Sequence, residues 1–208
     1  WDEVLTDSIT KHSPAPPPHS SFLGRQVGAM VHVPETDAEL GEADSEGNEA
    51  IRHVPLASYA IDLHEVSARA YAEFLRAHPD HRLPGVGVDW ATPWVWTERS
   101  PPKNQRGKPI SLVSRSDAAA YCAWRGKRLP TEDEWEHAAR GPEGLRYPWG
   151  DSWFPTYANW YDRPREGGDR VDGASLWATP GSYSDGRSPY GVFDMTGNVA
   201  EWVADDYR

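Results

Sequence analysis

Eighteen glycines and nineteen prolines are spread through 208 residues, often enough to forbid long regular elements. Proline removes a backbone donor and fixes φ, and glycine carries a large entropic cost inside a helix or strand. A chain so interrupted must be held by something other than long helices or wide sheets. Here the substitute is aromatic: 11 Trp and 9 Tyr supply much of an apolar fraction of only 38%. Such rings bury large areas while keeping a polar tip satisfied. The expectation is therefore a loop-rich fold packed on aromatic side chains. The length suits one domain of ordinary size, with or without an extended arm, and is enough to bury a real core.

The formal charge of −11 and a pI near 5.1 give a surface that repels phosphate backbones, so nucleic acid is not the expected partner. Two small basic clusters, Arg99/Lys103/Arg106/Lys108 and Arg125/Lys127/Arg128, are read as solvated loop charges. No run approaches the roughly 18 apolar residues that span a bilayer, and no signal peptide opens the sequence, so no membrane partner is expected. Cys122 has no second cysteine with which to form an intrachain disulfide, which points to a cytoplasmic protein.

Residues 1–28 read as a tether or as the tail of an upstream domain. "KHSPAPPPHSSFLGRQ" has no apolar period and favours extended polyproline conformations. The domain proper is expected over 29–208. "AMVHV" (29–33) reads as a strand, the acidic "ETDAELGEADSEGNEA" (35–50) as an exposed flexible loop, and "HVPLASYAIDLHEV" (53–66) as a second strand. A helix follows with Ser67 as N-cap, buries Tyr71, Phe74 and Leu75, and ends at Pro79. Residues 79–115 read as ordered loop in which Trp90, Trp94 and Trp96 bury themselves. A second helix is expected from Ser116 to Trp124, closed by Gly126. "PTEDEW" announces a third, with Thr131 and Glu134 as a capping box and Pro130 and Trp135 as a hydrophobic staple. From Gly141 onward loops and short strands are expected.

Few of the usual chemical constellations can be built. His78 and His81 are separated by Pro79, HExxH is absent, and no second thiol accompanies Cys122, so no zinc site of familiar spacing arises. No serine sits in a G-x-S-x-G elbow and no glycine-rich phosphate loop follows a strand. Cys122, in an alanine-rich helix, reads as a packed thiol. The oxygen-rich "DMTGNVAEW" (194–202) is different. Asp194 and Glu201 lie seven apart with glycine between them, and a hard cation takes such a mixture of carboxylates and loop carbonyls. An ordinary turn cap at Asp194 and a surface pair at Glu201 is the competing reading.

"AAAYCAWRGKRLPTEDEWEHAARG" (118–141), "YPWGD" (147–151), "YAN" (157–159) and "SPYGVFDMTGNVAEWVADDY" (188–207) together resemble the formylglycine-generating enzyme, or sulfatase-modifying factor, family. "HVPLASYAIDLHEVSARAYAEFLRAHP" (53–79) looks like that family's first strand-and-helix block. The resemblance implies an irregular C-type-lectin-like α+β fold with little regular structure. It also implies bound Ca²⁺, with one site at Asp194, Gly197, Val199 and Glu201, the glycine and valine acting through carbonyls. A second site would begin at Asn159 and the Trp160 carbonyl, with Asp172 as its nearest acidic partner, displaced by a short insertion.

Active members of that family use copper and a late pair of cysteines to convert a substrate cysteine to formylglycine. Cys122 is not one of that pair, and Cu(I) is held by soft thiolates, so copper enters only if a separate segment supplies them. Arg115 stands where the family commonly has Trp, and "PETDAEL" where it has a glycine pair. Two readings follow, leaving the enzyme question open. The first is a calcium-stabilised, non-catalytic binding or scaffold module of a larger, processed or signalling protein. The second is the N-terminal portion of a copper-dependent oxidase acting on a sulfatase cysteine. An ergothioneine-type iron enzyme ranks last, since the histidine cluster it needs is missing. Either leading reading expects a second polypeptide or fragment to complete the domain around Trp202, so a protein partner is preferred to a small molecule.

Overall fold

The computed structural model describes residues 25–27, 29–41, 51–85, 91, 94–160, 173–174 and 176–206. Among the described residues, five short strands and three short helices carry the regular structure: β1 (Arg25–Val27), β2 (Met30–Val33), β3 (Thr36–Leu40), β4 (Arg52–Leu56), β5 (Tyr59–Asp62), α1 (Ala68–Ala77), α2 (Arg115–Trp124) and α3 (Glu132–Arg140). The strands form two antiparallel groups, β1-β2-β5 and β3-β4. Val33 lies opposite Tyr59 in the first, and Ala38 opposite Val54 in the second. Strand pairing already begins at Arg25, opposite His32, within the stretch read as a tether.

Two expectations are corrected here. Residues 36–40 are a strand, not flexible loop: Ala38 and Leu40 are buried while Asp37 and Glu39 point out. The acidic residues occupy only the solvent face, and period-two burial decides the conformation. The run at 53–66 is two strands, because the chain leaves the β3-β4 ladder at Leu56 and joins β2 from Tyr59.

The helices follow their local signals. Ser67 caps α1 by accepting from Ala70 N at 3.2 Å, and Tyr71, Phe74 and Leu75 are buried. α2 starts one residue earlier than the spacing predicts, because Ser114 is the N-cap and closes a capping box with Asp117. In α3 the Thr131–Glu134 box forms as read. Beyond Gly141 the expected short strands do not appear among the described residues, where only an isolated bridge between Tyr147 and Gly150 and a 3-10 turn at Ser184–Gly186 occur.

The core is split in two. Val31, Val33, Leu40, Tyr190, Val192 and Met195 pack with Ala138 of α3, and Tyr71, Phe74, Leu75, Trp96 and Tyr121 pack between α1 and α2. Tyr71 and Tyr121 stack at 5.6 Å and Phe74 meets Tyr121 edge-on at 5.9 Å. Trp96 is buried with its indole N–H donating to Gln105 Oε1 at 3.0 Å. Trp94 is half-buried against Trp177, and Trp90 lies outside the described residues. Aromatic rings thus supply the cohesion that short elements cannot.

Candidate functional site

The exit of β5 and the loop at 193–201 are sewn together by main chain. Leu63 N donates to Ala29 O, and Phe193 N donates to Leu63 O at 3.1 Å. The loop then turns through three left-handed residues, Asp194 (φ 58°), Gly197 (φ 86°) and Asn198 (φ 58°). At Gly197 the requirement for glycine is double, since a Cβ there would lie 2.2 Å from Asn159 O. Asn198 N donates to that same carbonyl at 2.8 Å.

Asn198 is the hub. Its Nδ2 donates to Glu65 Oε2 at 2.6 Å, and its Oδ1 accepts from Ala178 N and from Asn159 Nδ2, each at 2.8 Å. This fixes Glu65, two residues ahead of the α1 cap, beside Asp194 and Glu201. Asp194 Oδ2 accepts from Gly181 N at 2.6 Å, and Glu201 Oε2 accepts from Trp135 Nε1 at 3.2 Å. Glu65 Oε1 is buried with no hydrogen-bond partner.

The electrostatics follow from that crowding. Burial, then the charges of Asp194 and Glu201, push the Glu65 carboxyl up to about 8. Burial, with Asp194 adding to it, raises Glu201 to about 7. Burial also raises Asp194, against the opposing pull of the Gly181 N–H and His64. Glu201 opens onto a cavity, so water reaches its surface while protein crowds its other sides. No described Lys or Arg ion-pairs with any of the three carboxyls. Such a cluster calls for neutralisation, by protons or by a cation. Among the described residues no three His, Cys, Asp or Glu side chains form a chelate on their own, so a cation here would need loop carbonyls as well.

Asp194, Gly197, Val199 and Glu201, the set the family resemblance implied, share one loop, and beside it lies Glu65, which the sequence reading missed. Glu65 is 133 residues from its partner Asn198, and no local pattern marks it. Asn159 is tied to this loop through Asn198, with its Nδ2 also donating to Leu176 O at 3.0 Å. Trp160 donates from Nε1 to Pro155 O at 3.0 Å. Asp172 lies outside the described residues.

Beside the cluster is a cavity of about 1150 Å³, mainly apolar, lined by Tyr59, Ile61, Cys122, Leu129, Val192 and Trp202 among others. Burial, then the Asp62 charge, raises the Cys122 thiol, opposed by Lys127, and Lys127 itself pairs with Asp62 at 2.5 Å. Trp202 is 47% exposed although its indole donates to Val113 O at 2.9 Å. Residues 204–206 are strapped over the helix starts: Ala204 N donates to Pro130 O, Glu132 N to Asp205 Oδ2, and Arg115 to Ala204 O, Asp205 O and Asp206. This is the use the chain makes of Arg115.

Comparison with known proteins agrees with this architecture. A bovine (Bos taurus) protein named Inactive C-alpha-formylglycine-generating enzyme 2 is 32% identical, over 88% of this chain and 72% of its own. A Formylglycine-generating enzyme from Mycobacterium tuberculosis is 31% identical, over 86% of this chain and 74% of its own. The solved structure of Treponema denticola variable protein 1 superposes with a TM-score of 0.58 at 21% identity, covering 86% of this chain and 75% of that one. It supports the fold alone, an irregular α+β arrangement with little regular structure. Residues 19–208 match the Sulfatase-modifying factor enzyme 1-like domain, and the chain belongs to that formylglycine-generating enzyme family.

Proposed function

We propose that this domain is a calcium-stabilised binding or scaffold module rather than an oxidase in its own right. The observation that carries the metal half is Glu65 Oε1, buried and unpartnered beside Asp194 and Glu201. Ca²⁺ there would be held by the Asp194 and Glu201 carboxylates and the Gly197 and Val199 carbonyls, with Glu65 as a further negative neighbour. The left-handed residues at 194, 197 and 198 turn loop main chain towards such a role. A hard cation takes oxygen donors of both kinds, and it supplies the charge that three crowded carboxyls lack. A second ion at Asn159, Trp160 and Asp172 has weaker support, because the Asn159 carbonyl and amide are already engaged by Asn198.

Copper does not fit these residues. Cu(I) takes soft thiolates, and Cys122 is a half-buried single thiol whose ionisation burial opposes. The oxidase reading needs two cysteines from another segment, and similarity to the mycobacterial enzyme is what favours keeping it as the alternative. In either case the exposed Trp202 and the apolar cavity support a protein segment, on this or a second polypeptide, as the natural cover.

Thermal melting with and without EDTA, beside elemental analysis, tests the metal. A ligand bound only by the folded form stabilises it by mass action, so chelation should lower the melting temperature and Asp194→Ala should reproduce the loss. An unchanged curve together with no metal in the purified protein refutes the proposal. For the scaffold half, a sulfatase-derived cysteine peptide incubated with the protein, copper and O₂ should yield no aldehyde by mass spectrometry.

A further inference from the structure

We infer that the outer edge of β5 is a docking site for an extended peptide strand of a partner protein, paired to it through main chain with apolar side chains in the adjoining cavity. The inference rests on the reading of that cavity as a surface covered by protein, and names how the cover is held. β5 is the last strand of its group, whose order is β1-β2-β5. Tyr59 stands opposite Val33 and Ile61 opposite Val31 in an unbroken antiparallel register, and just beyond it Leu63 N donates to Ala29 O at 2.9 Å. Hydrogen-bonded and non-bonded pairs alternate along such a ladder. Tyr59 and Ile61 therefore direct their main-chain groups at β2, while those of Ala60 and Asp62 point away from it. No hydrogen bond among the described residues takes these up; the Asp62 contact with Lys127 is made by its side chain. Nor is the edge guarded. "YAID" holds no proline, lysine or bulge, the devices that keep strand edges from pairing, and its one charge is neutralised by Lys127.

The cavity runs along this edge and not over one face of the sheet. Every residue from 58 to 62 lines it, whereas a hollow above one face would meet alternate residues. Its other wall includes Leu129, Pro130 and Trp202, and Lys127 reaches from that side to Asp62 at 2.5 Å. This geometry selects the occupant. An apolar small molecule would fill the hollow but leave the Ala60 and Asp62 main chain unpaired where water is excluded, which costs as much as lost hydrogen bonds. A folded edge strand, such as β5 of a second copy, would bring its own sheet and cavity walls against Pro130 and Trp202. A single extended chain of about five residues, roughly 17 Å long, satisfies the edge and fills the hollow, as peptides that add to sheets do. The carboxyls of the lining, Asp62, Glu65, Glu134 and Glu201, outnumber its Lys127 and Arg128, so basic residues suit the strand better than acidic ones beside its apolar positions.

The test uses the full chain and short peptides selected on it from a random phage-displayed library, keeping as probes those that shift the Trp202 indole N–H signal by NMR. Amide hydrogen exchange in the free chain should be fast at Ala60 and Asp62 beside slow Tyr59 and Ile61, and should slow at the first two about tenfold or more in the complex. N-methylation of alternate peptide residues separates pairing from mere filling. On one parity it should weaken binding about tenfold or more, since each lost hydrogen bond is worth up to about that factor; on the other parity binding should hold. A peptide that moves Trp202 without slowing Ala60 and Asp62, or without a parity effect, overturns the strand addition and leaves the covering role standing. A library with no member that moves Trp202 refutes both. Slowing at Ala60 and Asp62 that appears with protein concentration alone would give the edge to a second copy and overturn the partner strand.

Discussion

Gly197→Ala is the substitution through which the candidate loop can be tested most sharply. Two independent costs meet at this residue. Its φ of 86° is left-handed, where a Cβ costs about 1–2 kcal/mol. Its Cβ would also sit 2.2 Å from Asn159 O, so either the 159 or the 197 backbone must move by about an ångström, an overpacking cost of about 1–3 kcal/mol. Together these give a loss of about 2–5 kcal/mol, or roughly 5–15 °C in melting temperature for a chain of this size. Gly126→Ala isolates the first cost, since Gly126 has φ 71° with nothing within 4 Å of its Cβ position; its expected loss is about 1–2 kcal/mol. Differential scanning calorimetry of the two variants in calcium and in EDTA reads the difference. Equal losses would refute the close approach of the 159 and 197 backbones, and with it the geometry on which the loop's proposed carbonyl ligands depend.

Other perturbations follow from named contacts. Glu65→Gln keeps an acceptor for Asn198 but removes a carboxyl that burial and its acidic neighbours force to take up a proton on folding when no cation is bound; it should raise the melting temperature in EDTA and lower it in calcium, and a same-sign shift in both would exclude a cation beside Glu65. His137 is wholly buried, accepts or shares a proton with Tyr190 OH at 2.7 Å, and has Nδ1 unpartnered; burial lowers its pKa, with Glu136 opposing. The unfolded chain therefore binds the proton more readily. This contribution to stability is complete above the unfolded value of about 6.5 and is lost as pH falls towards the folded value, and His137→Gln should flatten that limb of a pH–stability curve. Tyr190→Phe strips the ring nitrogen's partner at neutral pH and should cost about 1–3 kcal/mol by urea denaturation. Asp117 is buried, which raises its pKa, but bonds from Arg82 and Ser114 outweigh burial and hold it well below the carboxylate range. Its contribution is present above about 3.9 and lost at lower pH; since the Arg82 left behind is solvent-exposed, Asp117→Asn should weaken the protein at neutral pH by about 1–3 kcal/mol and remove that acid dependence.

What the sequence disclosed, and what it hid, divides along chain distance. The starts at Ser67 and Thr131 were readable because each acts on backbone only three residues away, whereas the Ser114 cap of α2 was passed over for a start at Ser116. Asp194 and Glu201 were readable because one loop carries both. β3 was hidden by composition: alternating acids at 35, 37 and 39 resemble a solvated run, and only burial of Ala38 and Leu40 against α3 and the sheet shows which face they leave free. Glu65 and His137 were hidden because their partners, Asn198 and Tyr190, are 133 and 53 residues away. Nothing near either residue encodes the meeting. The aromatic content foretold how the molecule coheres, but not which rings would be left facing water.

Asn198 gives this division a kinetic side. Each of its side-chain bonds closes a long loop, across 133, 39 and 20 residues, and such closures must be entropically met before they return any stability. The 194–201 loop is therefore expected to assemble late, after β5, the α1 start and the 159 and 178 segments have found one another. An ion captured by that loop would leave the folding rate nearly untouched and slow unfolding instead, as interactions absent from the transition state do. Its binding would act as a latch, closing only on chains that have already folded.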